Sequence, residues 1–396
     1  MNKDLRYGFG RNWRHYLKTA FDEDRAAQAR QHLLGFLGVE RLDGLSVLDI
    51  GCGSGIHSLA AWTSGAARVV GFDFDPDSVE ASRHVHRLAG SPPNWEIHQG
   101  SVLDEAFMAG LGSFDLVYAW GVLHHTGAQW QALGNAIKCL GPRGRFYVAL
   151  YCSDVITPSE EYWLDIKRRY NLASPLGRIA MEARYIWRHL CHGNLSEFLR
   201  LPLTAREYRR SRGMALMTDV RDWLGGWPME FSAVREVVDF CDRAGLEPVK
   251  LTAKEANAEY LFVNKGTATS LGHVVVPPDE LARFRVIVLR SLAELNPDRP
   301  IYIFGTARGA EILAAEAHRL GAPPIAGYID IERRGTLSGQ PILSVEELAA
   351  QCPPDTPVVI SNRYVENNAT LLIRHGFTNI ANGHQLVVTL NAEQRG

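Results

Sequence analysis

The chain has 396 residues, of which 46% are hydrophobic and 22% charged, so we expect at least two globular domains. The formal net charge of −2 excludes a general attraction to nucleic acid or to anionic membrane surfaces. The six cysteines lie far apart without a Cys-x-x-Cys pair, which argues against zinc fingers and a disulfide framework. Since the sequence also shows no signal-peptide core and no run of 18 apolar residues, we expect a cytoplasmic protein without a membrane partner.

Residues 1–45 are predicted to form a helical arm ahead of the first core strand. Apolar positions recur at helical spacing over residues 22–38, which predicts one helix there. Before it, residues 7–13 (YGFGRNW) place aromatic side chains, including Trp13, among glycines. Two interpretations are open: this segment closes over a binding site as a mobile lid, or it packs on the outside of the domain.

A glycine loop follows the first predicted strand. The apolar run at residues 47–50 contains Asp49 and leads into the pattern D-x-G-x-G-x-G through Gly51, Gly53 and Gly55. Glycines let the backbone approach a ligand closely, and the helix that begins after the loop offers unpaired N–H groups. The spacing differs by one residue from the dinucleotide-binding pattern G-x-G-x-x-G.

The second predicted strand, residues 68–73, ends in an acidic residue. Asp73 at this position can accept hydrogen bonds from both hydroxyls of a ribose, whereas the alternative is an ordinary turn or cap acid. Asp75 and Pro76 then favour the start of a helix.

The alternation of strands and helices continues to residue 151. The third strand lies within residues 94–104 and passes into Ser101 and Val102; Asp104 follows, and its alternative role is to cap the next helix. The later elements are a fourth strand over residues 114–120 that ends at Trp120, the loop with His124 and His125, a helix over residues 129–140, a turn at 141–144 and a fifth strand over residues 145–151.

These motifs resemble the class I S-adenosylmethionine (SAM) methyltransferases of the small-molecule and quinone-type branch. The resemblance rests on the glycine loop, on GFDFDPDSVEASR, and on FDLVYAWGVLHHTG followed by LGPRGRFYVALY. It covers about residues 45–152 and continues less specifically to residue 265. It implies an α/β fold with a seven-stranded Rossmann-like sheet, with S-adenosyl-L-methionine as cofactor and S-adenosyl-L-homocysteine as product.

The resemblance also implies which residues bind the cofactor. In the family, the residue after Gly100 is often an acid that binds the adenine amino group; here it is Ser101, so this sequence departs from the pattern and Ser101 or Asp104 would take that place. The implied cofactor-binding residues are Asp49, Gly51, Cys52, Gly53, Gly55, Asp73, Phe74, Ser101, Val102 and Trp120.

His124 and His125 are the candidate catalytic residues. They stand just beyond the fourth strand, where the family places groups that face the transferred methyl, and histidine can act as a base near neutral pH. The alternative is structural, with one ring capping the next helix or bonding a backbone carbonyl. Quinone O-methyltransferases carry metal-binding acids in this loop; those acids are absent here, so no metal is predicted.

Residues 153–230 are predicted to be a helical cap inserted between strands five and six. Its cluster of Arg200, Arg206, Arg209, Arg210 and Arg212 is either a solvated helix face or a site for an anionic substrate or carrier. A loop at residues 222–230 carries two tryptophans, which either close over a flat substrate or anchor the cap. The candidate substrate-binding residues are Trp13, Tyr151, Trp223 and Trp227.

After a helix over residues 231–244, two strands at 246–251 and 259–263, the last antiparallel, complete a methyltransferase domain spanning residues 46–265. A connector with one helix follows at residues 266–296. Residues 297–396 predict a second, small βαβ domain, with strands near residues 301–304, 325–330 and 357–362. This second domain resembles Rossmann-like nucleotide-sugar or acyl-carrier recognition domains; packing or homodimer formation is the alternative.

The sequence therefore predicts methyl transfer from SAM to a small-molecule acceptor, through O- or N-methylation in a biosynthetic pathway. The acceptor is expected to be anionic or aromatic, and no nucleic-acid partner is expected. The alternative is a SAM-binding module without turnover that regulates or accompanies another enzyme. A nicotinamide oxidoreductase is disfavoured by the D-x-G-x-G-x-G spacing.

Overall fold

The structure is a computed structural model that describes residues 23–393 apart from 157–158, 192–193, 195, 198–199, 202–215, 255, 278–285 and 322. Trp13 and most of the arginine cluster lie outside the described residues, so the predicted lid and anion site stay predictions. Residues up to 152 with 160–232 and 238–275 form one compact unit, and residues 153–159, 233–237 and 276 onward form a second.

The first unit contains a seven-stranded mixed sheet, which confirms the predicted fold class. The strand order is β3-β2-β1-β4-β5-β7-β6, in which β7 runs antiparallel to both β5 and β6 and the other pairs are parallel. The strands are β1 (Ser46–Ile50), β2 (Arg68–Asp73), β3 (Trp95–Gln99), β4 (Phe114–Trp120), β5 (Leu140–Tyr151), β6 (Leu246–Lys254) and β7 (Asn257–Asn264).

Helices connect these strands and form the cap. They are α1 (Glu23–Leu37), α2 (Ile56–Thr63), α3 (Pro76–Leu88), α4 (Glu105–Leu111), α5 (Gln129–Ile137), α6 (Glu160–Leu172), α7 (Pro175–Tyr185) with a π-helical extension (Ile186–Leu190), α8 (Leu216–Gly225) and α9 (Val234–Arg243). Asp75 caps α3 by accepting the N–H of Asp77, and Pro76 is the first helical residue, as the sequence predicts.

The central strands are apolar and buried, which sets the position of the site. Leu48 and Val70, neighbours across β1 and β2, are both fully buried. Because β1, β2 and β4 run parallel, their carboxyl ends meet at one edge of the sheet. The glycine loop, Asp73 and Trp120 follow those three ends, so the fold brings them to the same edge.

Two local predictions in this unit were wrong. The predicted turn at residues 141–144 lies inside β5, because the pairing with β4 shifts register between Phe114 and Leu116 and so absorbs the extra residues. The predicted loop at residues 222–230 begins later, since α8 continues to Gly225 and Trp223 is helical. Buried Leu216, Val220 and Leu224, spaced four apart, hold this helix to its end.

The second unit is a doubly wound α/β fold built around its own sheet. Its strand order is β11-β12-β10-β9-β13-β14-β8, parallel except for the hairpin β11–β12. The strands are β8 (Ile287–Val288), β9 (Ile301–Phe304), β10 (Ile325–Ile329), β11 (Gly335–Leu337), β12 (Gln340–Leu343), β13 (Val358–Ile360) and β14 (Ile380–Asn382), and the helices are α10 (Arg308–Leu320), α11 (Val345–Gln351), α12 (Val365–Arg374) and α13 (His384–Glu393).

This architecture confirms the predicted second α/β domain and adds strands that the sequence did not reveal. The added strands β8, β11, β12 and β14 are two to four residues long, too short for a periodic pattern to show. Within the described ranges, no helix is long and apolar enough to cross a membrane.

Candidate functional site

The glycine loop needs glycine at two of its three positions for packing reasons alone. Gly51 has a φ of 67°, and a Cβ there would lie 2.4 Å from Cγ1 of Val122. Gly55 has a φ of 81°, and its Cβ would lie 2.5 Å from Oγ of Ser82. Side chains at these positions would therefore displace the loop from the sheet edge.

Asp73 ties the glycine loop to the end of β2. Its Oδ2 accepts the N–H of Gly53 at 3.0 Å, and its Oδ1 accepts the N–H of Asp75 at 2.9 Å. Burial raises the pKa of this carboxyl to about 6. A carboxylate has about four acceptor positions, so it can still accept hydrogen bonds from a ribose.

Asp49 and Cys52 are buried beneath the loop. Asp49 is 3% exposed and accepts the hydroxyl of Ser58 at 2.6 Å, a contact with α2. Burial raises the pKa of Asp49 to about 7 and that of the Cys52 thiol well above its ordinary value. These contacts give Asp49 a structural role at the start of α2.

The candidate adenine-binding residues occupy different environments. Phe74 is 58% exposed, and its ring offers a face for stacking. Val102 is buried, while Ser101 Oγ accepts the N–H of Leu103 at 3.2 Å. Asp104 accepts two N–H groups at the start of α4, so the capping role is the one that the structure displays.

Trp120 belongs to a polar cluster that the sequence did not reveal. The carboxylate of Glu259, on β7, accepts hydrogen bonds from Trp120 and from the Tyr147 hydroxyl, and it lies 3.5 Å from Nε2 of His32. Although burial alone would raise the pKa of Glu259, the hydrogen bonds from His32, Tyr147 and Trp120 hold it below its ordinary value. His32 on α1 and Glu259 on β7 are single residues outside any sequence motif, so only the fold could identify this cluster.

The neighbouring histidines after β4 are fixed in opposite tautomers. Nδ1 of His124 accepts the N–H of Tyr151 at 3.2 Å, so the neutral ring carries its proton on Nε2. Nδ1 of His125 lies 2.7 Å from the carbonyl oxygen of Pro228, which can only accept, so this ring carries its proton on Nδ1 and a lone pair on Nε2. Burial lowers the pKa of both rings, that of His125 to about 3, and both are neutral at pH 7.

His124 combines complete burial with an unsatisfied donor. The residue is 1% exposed, and within the part of the chain that the structure describes its Nε2 has no hydrogen-bond partner. Its ring centroid lies 4.0 Å from that of Tyr151 and 4.5 Å from that of His125. A buried N–H without a partner is costly, and a bound acceptor can satisfy it.

The cap contributes aromatic side chains and one buried lysine close to Tyr151. The Trp223 ring lies 5.5 Å from the Tyr151 ring and 4.9 Å from the Trp163 ring. Lys167, on α6, is fully buried, donates to the carbonyl oxygen of Trp223 and lies 4.5 Å from the centre of its ring. Burial lowers the pKa of this lysine to about 7. The sequence missed Lys167 because nothing marks it among the other basic residues of the insertion.

The remaining described candidates are Trp227 and Arg200. Trp227 is half-buried and precedes Pro228 through a cis peptide bond. Arg200 is exposed, 4.0 Å from Glu197. Among the described residues, no three His, Cys, Asp or Glu side chains converge to hold a metal ion.

Comparison with known families matches residues 42–192 to a methyltransferase domain. A ribosomal protein L11 methyltransferase of Ectopseudomonas mendocina (strain ymp) is 54% identical over 60 residues, which are 15% of this chain and 20% of that protein. A ubiquinone biosynthesis O-methyltransferase of Methylobacterium sp. (strain 4-46) is 33% identical over 125 residues, 32% of this chain and 48% of that protein. A tRNA U34 carboxymethyltransferase of Methylococcus capsulatus (strain ATCC 33009 / NCIMB 11132 / Bath) is 35% identical over 103 residues, 26% of this chain and 31% of that protein.

The chain thus spans from a fifth to about half of the length of these curated relatives. Among solved structures, magnesium protoporphyrin IX methyltransferase from Synechocystis PCC 6803 with bound SAH aligns with 64% of this chain and 94% of that chain, at 12% identity and a TM-score of 0.39. This family match agrees with the methyltransferase family that the sequence motifs predicted. Over residues 42–192 the chain is therefore similar to a methyltransferase domain, and S-adenosyl-L-methionine is the cofactor that this similarity implies.

Proposed function

We propose that this chain transfers a methyl group from SAM to a hydroxyl or amine of a small-molecule acceptor, with His125 as the base. The single observation that carries the proposal is the pair of opposite histidine tautomers beyond β4. The residues at the sheet edge fit the cofactor, since Asp73 retains acceptor capacity and Phe74 offers an exposed ring. When bound, SAM supplies an activated methyl group on its sulfonium.

The tautomers give the two histidines different roles. His125 presents a lone pair on Nε2, held in place by its Nδ1–H bond to Pro228, so it can take a proton from the acceptor. His124 presents N–H on Nε2, so it cannot act as a base there and instead donates to the acceptor. We therefore assign the role of the base to His125 and the role of a hydrogen-bond donor to His124.

The surroundings favour a small acceptor with a flat or apolar part. Tyr151, Trp223 and Trp163 form a continuous aromatic group beside the histidines, and such walls bind ring systems. The ubiquinone biosynthesis O-methyltransferase, whose name places it in a small-molecule pathway, matches over more residues than the tRNA enzyme does. The net charge of −2 is unfavourable for a large nucleic-acid acceptor.

The enzyme's own contribution is positioning and proton removal. Holding the acceptor in line supplies on the order of 7–11 kcal/mol of the barrier. The proton that leaves a hydroxyl acceptor moves to Nε2 of His125. Because burial lowers the pKa of this ring to about 3, it is a weaker base than a histidine near neutral pH, and we expect it to contribute at the lower end of the roughly 10²–10⁴-fold range of general bases.

Turnover can be tested with labelled SAM and a metabolite extract of the host. We expect a labelled small molecule to form with the wild-type protein. His125→Ala should lower its rate of formation by about 10²-fold, the lower end of the range for general bases, with unchanged SAM affinity, and the rate should partly recover at high pH, where a hydroxyl acceptor ionises without help. A loss that is uniform in pH would indicate an amine acceptor and a positioning role for His125.

One control and one further variant complete this assay. His98→Ala, in half-exposed β3 beside Glu96, should keep full activity. His124→Ala should raise the acceptor KM more than it lowers kcat, because it removes a donor. Full activity in both the His124 and His125 variants would refute the assignment, and an absence of any labelled product would favour a SAM-binding module without turnover.

A further inference from the structure

Helix α7 of the cap and its π-helical extension expose a continuous apolar stripe. The stripe consists of Leu176, Ile179, Ala180, Ala183 and Trp187, whose spacing of three or four residues places them on one face of the helix. Leu176 is 79% exposed, Ile179 58% and Trp187 38%, and both alanines are exposed as well. Large apolar side chains that are exposed side by side, rather than singly, mark a binding surface.

The apolar stripe is not the face by which α7 packs on the rest of the cap. Met181 and Tyr185, on the opposite face, pack against a buried cluster that includes Tyr170 of α6 and Val220 of α8. Glu182, next to them, is 6% exposed and accepts the Tyr170 hydroxyl at 2.7 Å. Because α7 already has this packed face, the cap does not need the stripe for its own stability.

The charges around the apolar stripe are positive. The charged residues exposed on α7 and its extension are all arginines: Arg178, Arg184 and Arg188. The one acid of α7, Glu182, is buried and pairs with Arg221 of α8. In the sequence, residues 173–213 contain eight arginines and three glutamates, which gives this segment a net charge of +5 in a chain whose net charge is −2. The overall charge predicts no general attraction to anionic membranes, but charges act over only about 10 Å in salt, so the local charge decides.

An apolar stripe bordered by arginines suits the surface of a membrane that contains anionic lipids. Helices of this composition lie in the plane of the interface, with their apolar side chains among the acyl chains and their basic side chains at the lipid phosphates. Trp187, at the end of the stripe, is typical of such helices because the indole ring favours the boundary between lipid and water. This mode of binding requires no membrane-spanning helix.

Two other kinds of partner fit the apolar stripe less well. A nucleic acid would bond to the arginines through its phosphates but would leave Leu176 and Ile179 in contact with water. A second copy that packs through the same stripe would bring Arg184 and Arg188 toward their own counterparts, and α7 offers no exposed acid to neutralise them. The combination of exposed leucine and isoleucine with arginines therefore favours the lipid surface.

We propose that α7 docks this protein onto an anionic lipid surface through the apolar stripe, with Arg184 and Arg188 at the lipid phosphates. The apolar side chains bury part of their exposed area between the acyl chains, and the arginines set the preference for anionic over neutral lipids. Docking does not depend on the proposed methyl transfer, since its test measures binding to lipid without SAM or an acceptor.

Flotation with lipid vesicles tests the proposal on the full chain. Vesicles of phosphatidylcholine alone are compared with vesicles of equal parts phosphatidylcholine and phosphatidylglycerol. We expect the protein to float with the anionic vesicles at low salt and to bind the neutral vesicles at least tenfold more weakly. Leu176→Gln combined with Ile179→Gln should weaken binding by about tenfold or more, because both side chains lose apolar area. Arg184→Gln combined with Arg188→Gln should weaken it by roughly fivefold for each charge.

Leu88→Gln and Arg83→Gln are the matched controls and should bind like the wild type, because both residues are exposed on α3 of the same unit. Thermal unfolding of every variant checks that the protein stays folded. Failure to float with anionic vesicles at millimolar lipid would overturn the proposal, and so would binding that the Leu176 and Ile179 substitutions leave unchanged.

Two further measurements distinguish the other partners. Light scattering reports the mass of the chain in solution, and a dimer that the Leu176 and Ile179 substitutions dissociate would identify a second copy as the partner and overturn the proposal. Retention on an RNA duplex that the Arg184 and Arg188 substitutions abolish, without flotation on vesicles, would identify a nucleic acid instead.

Discussion

We propose that Asp73 serves both the glycine loop and the cofactor through one carboxylate. It accepts the N–H of Gly53, which holds the loop against β2, and it retains acceptor positions toward the sheet edge. Since burial raises its pKa to about 6, its ability to accept ribose hydroxyls depends on pH within an accessible range.

We predict that SAM binding weakens as the pH falls below about 6, because protonation of Asp73 removes acceptor capacity. Below that pH, the Kd of SAM should rise by at most about tenfold for each pH unit. Asp73→Ala should weaken binding at pH 7.5 by roughly 1.5–3 kcal/mol, the scale of a hydrogen bond to a charged group. Calorimetry across pH 5–8 measures both effects.

The matched comparison for this prediction uses the Asp73→Asn variant. Its affinity for SAM should no longer fall as the pH drops through 6. Asp49, with a pKa near 7, is present in both proteins, but the charge of Asp73 helps to raise that pKa, so Asp73→Asn should move the titration of Asp49 to lower pH without removing it. Asp43→Ala, which breaks an exposed pair with Arg41, should leave affinity unchanged. If the affinity for SAM depends on pH in the same way in the wild type and in Asp73→Asn, a group other than Asp73 titrates there.

At the scale of elements, the contact of α6 with α8 depends on a buried lysine. Lys167 is fully buried and lies against the backbone and ring of Trp223. Burial lowers its pKa from 10.5 to about 7. Between those two pH values the unfolded chain binds a proton that the folded chain has lost, so the free energy of unfolding rises with pH across this window.

We predict that Lys167→Met reduces the increase of the free energy of unfolding with pH. At pH 7 and below, the wild type carries the full cost of a buried ammonium, which the methionine variant lacks, while above about pH 10 the difference vanishes or reverses through the lost hydrogen bond. Summed between pH 7 and pH 10, the difference should amount to a few kcal/mol, on the order of 1.4 for each unit of pKa shift. Urea unfolding at pH 7, 8.5 and 10 measures it.

Lys138→Met is the control for the lysine prediction, since Lys138 is exposed near Glu105 and its replacement should leave the slope unchanged. Parallel pH dependence in the wild type and Lys167→Met would mean that Lys167 keeps its proton throughout, through a neighbouring carboxylate such as that of Asp222.

At the scale of the whole molecule, the two compact units are not separated by a single boundary in the sequence. Residues 153–159 and 233–237 belong to the second unit although they lie between segments of the first. Gln385, on α13, donates to the carbonyl oxygens of Ser153 and Ile156 at 3.3 and 2.7 Å, which ties one of these segments to its unit.

We predict that a chain ending at Val275 still binds SAM with unchanged affinity, because the glycine loop and Asp73 lie in the first unit. Its melting temperature should fall, because residues 153–159 and 233–237 lose their partners. Gln385→Ala in the full chain should reproduce part of that loss, about 1–3 kcal/mol for carbonyl groups left unsatisfied. An insoluble or SAM-inert fragment would contradict the prediction.

The sequence by itself determined the parallel strands, the glycine loop and the acid at the end of β2. These features are local: burial on both faces makes β1, β2 and β4 short apolar runs, and the close packing at Gly51 and Gly55 admits no side chain. It failed at the turn predicted for residues 141–144, because only pairing with β4 shows that this segment is part of a strand.

Only the tertiary structure decided what the side chains at the sheet edge can do. His124 and His125 are identical in sequence terms, yet one is held by the backbone of Tyr151 and the other by Pro228, 103 positions away. Glu259 and Lys167 likewise gain their roles from contacts with distant elements. Protonation and hydrogen bonding depend on burial and on partners from other parts of the chain, and local sequence patterns carry no record of either.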